Sequence, residues 1–171
     1  MTISMYQASV PVLLHTLDAV SAFLGKAAAH AELRKIDPAV LLGMRLYPDM
    51  FPLTRQVQLT ADFAKGTAAR LAGVENPKFA DDETTFDALQ QRIAKTVTFV
   101  KSFKPAQIDG SETREITIPI GGKPQTFKGQ PYLLHFALPN FFFHAATAYD
   151  ILRHAGVELG KRDFIGGFKT E

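Results

Sequence analysis

Apolar residues recur at intervals of three and four along most of this chain, which is the spacing of one face of an α-helix. Four long segments show it, at about residues 4–29, 52–71, 85–103 and 130–154. In the last segment the apolar positions step alternately by four and three: Leu134, Leu138, Phe141, Ala145, Ala148 and Leu152. That alternation is typical of helices that pack at shallow angles in a bundle. The pattern predicts an all-α protein, a four-helix bundle.

Prolines and glycines divide this helical pattern. Asp37 followed by Pro38 predicts a capped helical turn over residues 37–42. Gly73 suits the left-handed residue that ends a helix, so the second long helix should stop there. Pro11 and Pro139 lie inside the first and last helices. We expect Pro11 to kink the helix or mark its true first turn, and Pro139 to bend the last helix.

Residues 115–127 carry a different pattern, in which apolar and polar positions alternate as in a strand. Ile116, Ile118 and Ile120 alternate with polar or proline positions, and the chain then turns at Gly121 and Gly122. This predicts a small β-hairpin inserted before the last long helix. One hairpin alone is marginally stable, so it should pack against the bundle or against a second copy of the chain.

The segment 156–167 is short and rich in glycine and charge. It is not a phosphate-binding loop, because Lys161 is followed by Arg162 rather than Ser or Thr and comes after a helix. We expect a strap that folds back over the open end of the bundle.

Length and composition favour one ordinary globular domain spanning residues 1–171. Apolar residues make up 46% and charged residues 21%, and the formal net charge is only +2. The basic residues are dispersed, so no nucleic-acid partner is expected. Cysteine is absent, which removes disulfides and thiolate ligands. With no signal-peptide layout and no uninterrupted apolar run of about 18 residues, we expect a cytoplasmic protein without a membrane partner.

Asn140 and His144 lie one helical turn apart beside the apolar seam of the last helix. They can join polar residues of the first two long helices in a buried cluster with these candidate members: His15, Gln56, Gln58, Asp62, Asn140 and His144. His144 is then either a metal ligand, with Asp62 as a second ligand, or a member of a satisfied polar network. The neutral carbonyl of Asn140 suits hard cations better than zinc or nickel.

Three consecutive aromatic residues, Phe141, Phe142 and Phe143, cannot all face one way. They span about 200° of a helix, so core packing accounts for one or two of them. The third indicates a dimer face or a buried ligand pocket. We favour homodimerisation.

Residues 138–164 (LPNFFFHAATAYDILRHAGVELGKRDF) resemble the C-terminal signature of the DUF1993 family, a group of bacterial and fungal proteins without assigned activity. The opening residues 5–11 and the stretch 55–58 are similar to it as well, so the resemblance covers essentially the whole chain. That family in turn resembles the DinB/YfiT-like superfamily. Its members are four-helix bundles, often dimeric, and many hold a metal with three histidines. Some are thiol-dependent transferases.

The resemblance also implies where a metal site would lie. The superfamily has one histidine on the second helix and a His-x-x-x-His pair on the last. The pair corresponds to Asn140 and His144 here, and the second-helix position falls at Gln56 or Gln58. His144 alone keeps the metal-ligating residue type. The resemblance therefore implies the DinB-like fold with a degenerate metal site.

Three functions remain open at this point. We favour a small-molecule-binding or accessory protein with a degenerate metal site and no cofactor. The first alternative is a metal-dependent enzyme, thiol-transferase or hydrolase-like, with an atypical divalent-metal site centred on His144 and using Asp62 and His15. The second is a structural or interaction dimer without catalysis. No intact catalytic motif decides between them.

Overall fold

The computed structural model describes residues 3–167, and within that range the chain is mostly helical with one small sheet. In chain order the elements are α1 (Met5–Arg34), α2 (Pro38–Gly43), α3 (Leu53–Ala72), α4 (Phe86–Lys101), α5 (Pro105–Ile108), β1 (Glu115–Ile120), β2 (Lys123–Lys128), α6 (Gly129–Pro131), a π-helical segment (Tyr132–Ala137), α7 (Leu138–His154) and α8 (Lys161–Ile165). The long helices fall where the periodicity predicts them.

Two helix ends, at Asp37 and Gly73, have the chemistry that the sequence predicts. Asp37 accepts a hydrogen bond from the Ala39 N–H at 2.9 Å and so caps α2. Gly73 ends α3 with a φ of 71°, in the left-handed region. α1 begins at Met5 behind a Ser4 cap, so Pro11 is not its first turn, and the helix continues to Arg34. A left-handed residue that is not glycine, Lys35, ends it.

The long helices share one apolar core. α3 packs along α7 and α4, and α1 packs along α4. Fully buried side chains come from all of them: Leu13, Leu17, Val20 and Phe23; Val57, Ala61 and Ala64; Leu89; Phe141, Ala145, Ala148 and Leu152. By length and composition α1 also resembles a membrane-spanning helix, yet half of its most apolar stretch is buried in this core.

The apolar seam of the last helix departs from the prediction at its beginning. The periodicity places Leu134 in the seam, but this residue is 45% exposed, while Leu133 and Ala137 are fully buried. The π-helical turn explains the shift, because its wider turn moves the buried face by about one residue. Pro139 follows directly and has no N–H for the preceding turn, which is a known cause of such irregularities.

The hairpin forms as predicted and packs against its own chain. Ile120 pairs with Lys123, so Gly121 and Gly122 make a two-residue turn with φ of 57° and 78°. Positive φ at both positions is the type I′ geometry that matches strand twist. Ile116 and Ile118 are each only 4% exposed and join the core. The alternative, a second copy as the packing partner, is not needed to bury this face.

The C-terminal strap lies along α1, and not over the end of the bundle as expected. Lys26 Nζ and Asp163 Oδ1 are 2.7 Å apart. The ring Nε2 of His15 donates to the Ile165 carbonyl at 2.6 Å. Apolar residues ahead of α8 decide this course, because Val157 and Leu159 are buried beside the core.

Replacing Gly129 by alanine tests how the hairpin joins the last helix. A Cβ on Gly129 would lie 1.9 Å from the Ser111 carbonyl oxygen, a backbone atom that cannot move aside alone. We expect Gly129→Ala to lower the free energy of unfolding by about 1–3 kcal/mol in chemical denaturation. Gly43→Ala is the matched control, since nothing lies within 4 Å of its added Cβ. Equal stability of the two variants would contradict this packing.

Candidate functional site

A hydrogen bond between α3 and α7 lies at the centre of the candidate site. His144 Nδ1 and Gln56 Oε1 are 2.7 Å apart. Both side chains are buried, with 8% and 1% of their surface exposed. Gln56 is therefore the glutamine of α3 that faces α7. Gln58 points elsewhere, since residues two apart lie about 200° apart on a helix.

The surrounding contacts fix where the protons of this pair lie. The Gln56 side-chain Nε2 donates to the Phe51 carbonyl at 3.1 Å. A carbonyl only accepts, so the amide nitrogen must face Phe51 and Oε1 must face His144. The ring nitrogen opposite Oε1 is therefore the donor. His144 is held as the Nδ1–H tautomer, with a lone pair on Nε2.

Aromatic rings clamp the imidazole in place. Phe63 stacks on it, with ring centroids 5.6 Å apart and planes at 22°. Phe143 meets it edge-on at 5.2 Å. Burial, and to a smaller extent the positive charge of Arg55, lowers the pKa of His144 to about 4. The ring is consequently neutral at pH 7.

The free nitrogen of His144 is reachable from solvent. Nε2 has no hydrogen-bond partner in the described part of the chain. The fully buried polar side-chain atoms without a partner in residues 3–167 are Arg92 Nε and Ser111 Oγ. Nε2 is not among these atoms, so it keeps some surface contact. A neutral imidazole with one anchored nitrogen and one accessible lone pair is an acceptor for an incoming O–H or N–H.

Asn140 lies one turn before His144, half-buried. Its Nδ2 donates to the Phe136 carbonyl at 2.7 Å, inside the π-helical segment. The side chain therefore supports the irregular turn. Its carbonyl oxygen stays on the same side of the helix as the histidine.

Gln58 and Asp62 belong to a second cluster on the opposite side of α3. Gln58 donates to Glu83 Oε2 at 2.7 Å, and Asp62 Oδ1 lies 2.8 Å from the Arg92 guanidinium. Arg92 is itself 4% exposed and also pairs with Asp81 and Glu83. This charge cluster ties the connection between α3 and α4 to both helices.

His15 bonds to the C-terminal strap, and among residues 3–167 it makes no hydrogen bond to His144, Gln56 or Asn140. It lies half-buried on α1, and its bond to Ile165 binds it to the strap. The predicted site residues therefore separate into three groups. His144, Gln56 and Asn140 come together, Gln58 and Asp62 join the charge cluster, and His15 contacts α8.

The donor set around His144 does not fit a protein-held transition metal. Within residues 3–167 no three His, Cys, Asp or Glu side chains are arranged to hold a metal ion. Gln56 and Asn140, the candidates on the same side of α3 and α7, offer neutral amide oxygens, and Gln56 already uses its oxygen on His144. Asp62 is engaged by Arg92 and Lys65. Three-ligand catalytic sites need more than this set provides.

The sequence did not point to Phe63, Phe51 or Arg55 as site residues. Phe63 follows Gln56 by seven residues, two turns along the same face of α3, and that spacing was the available signal. Phe51 contributes a backbone carbonyl from the loop before α3, for which side-chain patterns carry no signal.

Burial of a neutral His144 predicts a pH-dependent stability. The folded pKa of about 4 lies below the ordinary 6.5, so the unfolded chain binds the proton more tightly. The contribution of His144 to the free energy of unfolding is therefore at its full value above pH 6.5. It decreases by about 2–3 kcal/mol as the pH drops towards 4. We expect this loss in chemical denaturation from pH 7.5 to 4.5. His144→Gln is the control; its stability should lack that component, and parallel profiles would contradict this picture of the buried ring.

A family model described as "Domain of unknown function (DUF1993)" matches residues 5–165. A crystal structure at 1.83 Å resolution of a DinB family member protein from Shewanella denitrificans is similar to the chain, with a TM-score of 0.90 and 41% sequence identity. The match covers 97% of this chain and 94% of that one. A search of proteins with curated descriptions gave no match.

The match spans nearly every element described above, from the first turn of α1 to the end of α8. The shared fold extends to the hairpin and the strap, because 97% of the chain is covered. The chain belongs to the DUF1993 family and is DinB-like.

Proposed function

We propose that this protein is a DinB-type four-helix bundle that binds a small, neutral molecule at His144 without a metal. The hydrogen bond from His144 Nδ1 to Gln56 Oε1 carries the proposal. It fixes the tautomer, so Nε2 presents a lone pair to a ligand. The ligand contributes an O–H or N–H that donates to this nitrogen.

The low basicity of His144 favours binding over proton transfer. A general base works best when its pKa is close to the working pH. With a pKa of about 4, the imidazole takes up a proton poorly at neutral pH. As an uncharged acceptor on a largely buried ring it still discriminates, since a ligand without an O–H or N–H would displace water and leave Nε2 unpaired.

The rim favours a flat ligand. Phe143 is 56% exposed and its ring meets the His144 ring, while Phe51 is 53% exposed and gives the site its backbone carbonyl. The Arg55 guanidinium lies 5.9 Å from the centre of the Phe51 ring. An exposed aromatic ring beside a polar acceptor supplies apolar contact and orientation together.

Phenol and anisole form a matched pair of probes for this site. Both are flat, but only phenol has an O–H to donate. We expect phenol to bind about fivefold more tightly than anisole, because one hydrogen bond contributes on the order of 1 kcal/mol. Protein-observed NMR titration measures both affinities.

The His144→Phe variant keeps the ring stack but removes the acceptor. It should bind phenol and anisole equally. His135→Ala is the control, because His135 is an exposed histidine of the preceding π-helical segment. Equal affinity of the two probes for the unmodified protein, or a phenol preference that survives His144→Phe, would contradict the proposal.

Exposed aromatic residues favour a second candidate function, that of a homodimer interface. Phe143 is 56% exposed and Tyr47 is 65% exposed, whereas Phe141 is fully buried. Large exposed apolar side chains are common where proteins associate. In this reading the second copy of the chain is the partner of the Phe143 surface.

Light scattering after size-exclusion chromatography tests the dimer. We expect the unmodified protein to have the mass of two chains, and Phe143→Ser to shift it towards one chain. Val74→Ser is the control, since Val74 is a 46% exposed residue just after α3. A single-chain mass for the unmodified protein across micromolar concentrations would remove this candidate.

A further inference from the structure

One side of the helical arrangement is incompletely filled. α7 packs closely on α3 and α1 on α4, but α1 and α7 meet over a smaller area. α8 lies on α1 and covers part of that side. A cavity of about 720 Å³ remains, lined by residues of α1, α7 and α8 and by the last residue of α4. This volume is within the range of small-molecule sites, roughly 300–1,000 Å³.

The cavity is long and mainly apolar. Its α1 wall extends from Tyr6 to Asp18, about 18 Å at the helical rise per residue. Leu14 and Val10 of α1, Phe142 of α7 and Phe164 of α8 form its apolar lining. The bond from His15 to Ile165 holds the α8 wall against α1. The shape fits a chain-like molecule better than a compact one.

The charges at the cavity lie apart from each other. α4 runs antiparallel to α1, because Ser21 bonds to Gln90 while the Tyr6 N–H bonds to Asp109, beyond the end of α4. Lys101 therefore lies towards the N-terminal part of the α1 wall, and Asp18 is at its far end. Among the described residues no carboxylate lies within ion-pair distance of the Lys101 ammonium. An anion is the complementary group there.

We propose that this cavity binds a medium-chain aliphatic carboxylate. The alkyl chain lies along α1 between Leu14, Phe142 and Phe164, and the carboxylate pairs with Lys101. In this orientation the carboxylate of the ligand lies far from the negatively charged Asp18 at the other end of the cavity. This site is separate from the one at His144 and goes beyond the proposed function.

Isothermal titration of the full chain with dodecanoate, kept below the concentration at which it forms micelles, tests the proposal. One molecule should bind per chain. Shortening the acid should weaken binding about fourfold per methylene removed, because each methylene leaves water on binding. Lys101→Met should weaken dodecanoate about fivefold, as for a partly exposed charge pair. The affinity for uncharged 1-dodecanol should change less than twofold.

Three further variants locate the bound acid within the molecule. Lys123→Met removes an exposed lysine at the hairpin turn and should leave dodecanoate binding unchanged. Leu14→Trp should fill the cavity and weaken both the acid and the alcohol. His144→Phe should leave dodecanoate binding unchanged. The cavity proposal can therefore hold even if the proposed binding site at His144 is wrong.

Some results would overturn the proposal. These are no binding of dodecanoate, binding without chain-length dependence, or a Lys101→Met variant that binds the acid as the unmodified protein does. If Leu14→Trp does not fold, as circular dichroism would show, Lys101→Met decides alone, because Lys101 is exposed and its loss leaves the core intact.

Discussion

The bond between Gln56 and His144 is the interaction on which the candidate site depends. It crosses between α3 and α7, the most extensively packed pair of helices, and both of its side chains are buried. Leaving either partner alone would expose a buried polar group to an apolar setting, at a cost of about 1–3 kcal/mol. The same bond therefore holds two helices in register and decides which imidazole nitrogen is free. The proton on His144 Nδ1 therefore both links α3 to α7 and leaves Nε2 as the unprotonated nitrogen.

α3 separates two polar systems of different character. Its Gln56 face carries a neutral pair, clamped by the Phe63 ring and directed at α7. Its Gln58 and Asp62 face carries ions, gathered around Arg92 and directed at α4. Charges remain close to the surface loop, where Asp81 is exposed. On the Gln56 face the imidazole stays uncharged at pH 7, because burial and, to a smaller extent, the positive charge of Arg55 lower the pKa of His144 to about 4.

Much of the fold follows from the sequence because local signals agree with one another. The periodicity of the long helices, the Asp37 cap, Gly73 and the paired glycines of the hairpin all act within a few residues. Leu134 shows where prediction from periodicity fails. The π-helical turn ahead of Pro139 shifts the buried face of the helix, and a fixed residue spacing does not reveal that shift. The strap shows it as well, because its course depends on contacts with α1 far along the chain.

The site was only partly predictable for a related physical reason. The structure brings His144 together with one of the two candidate glutamines and places Asn140 one turn earlier on the same helix, because helix faces follow from spacing. Periodicity alone did not separate Gln56 from Gln58. Asp62 was grouped with His144, although its position six residues after Gln56 places it on the other face of α3, beside Arg92. Hydrogen-bond partners outside the helix, such as the Phe51 carbonyl, help to fix which side chains meet at the site. These partners lie in loops, whose conformation the residue pattern does not predict.

The tautomer of His144 is the property that tests the site most directly. Long-range proton–nitrogen NMR on ¹⁵N-labelled protein at pH 7 distinguishes a protonated from an unprotonated ring nitrogen. We predict a neutral ring with the proton on Nδ1 and a lone pair on Nε2, and loss of that preference in Gln56→Leu. A proton on Nε2, or a ring that carries both protons at pH 7, would contradict the central claim.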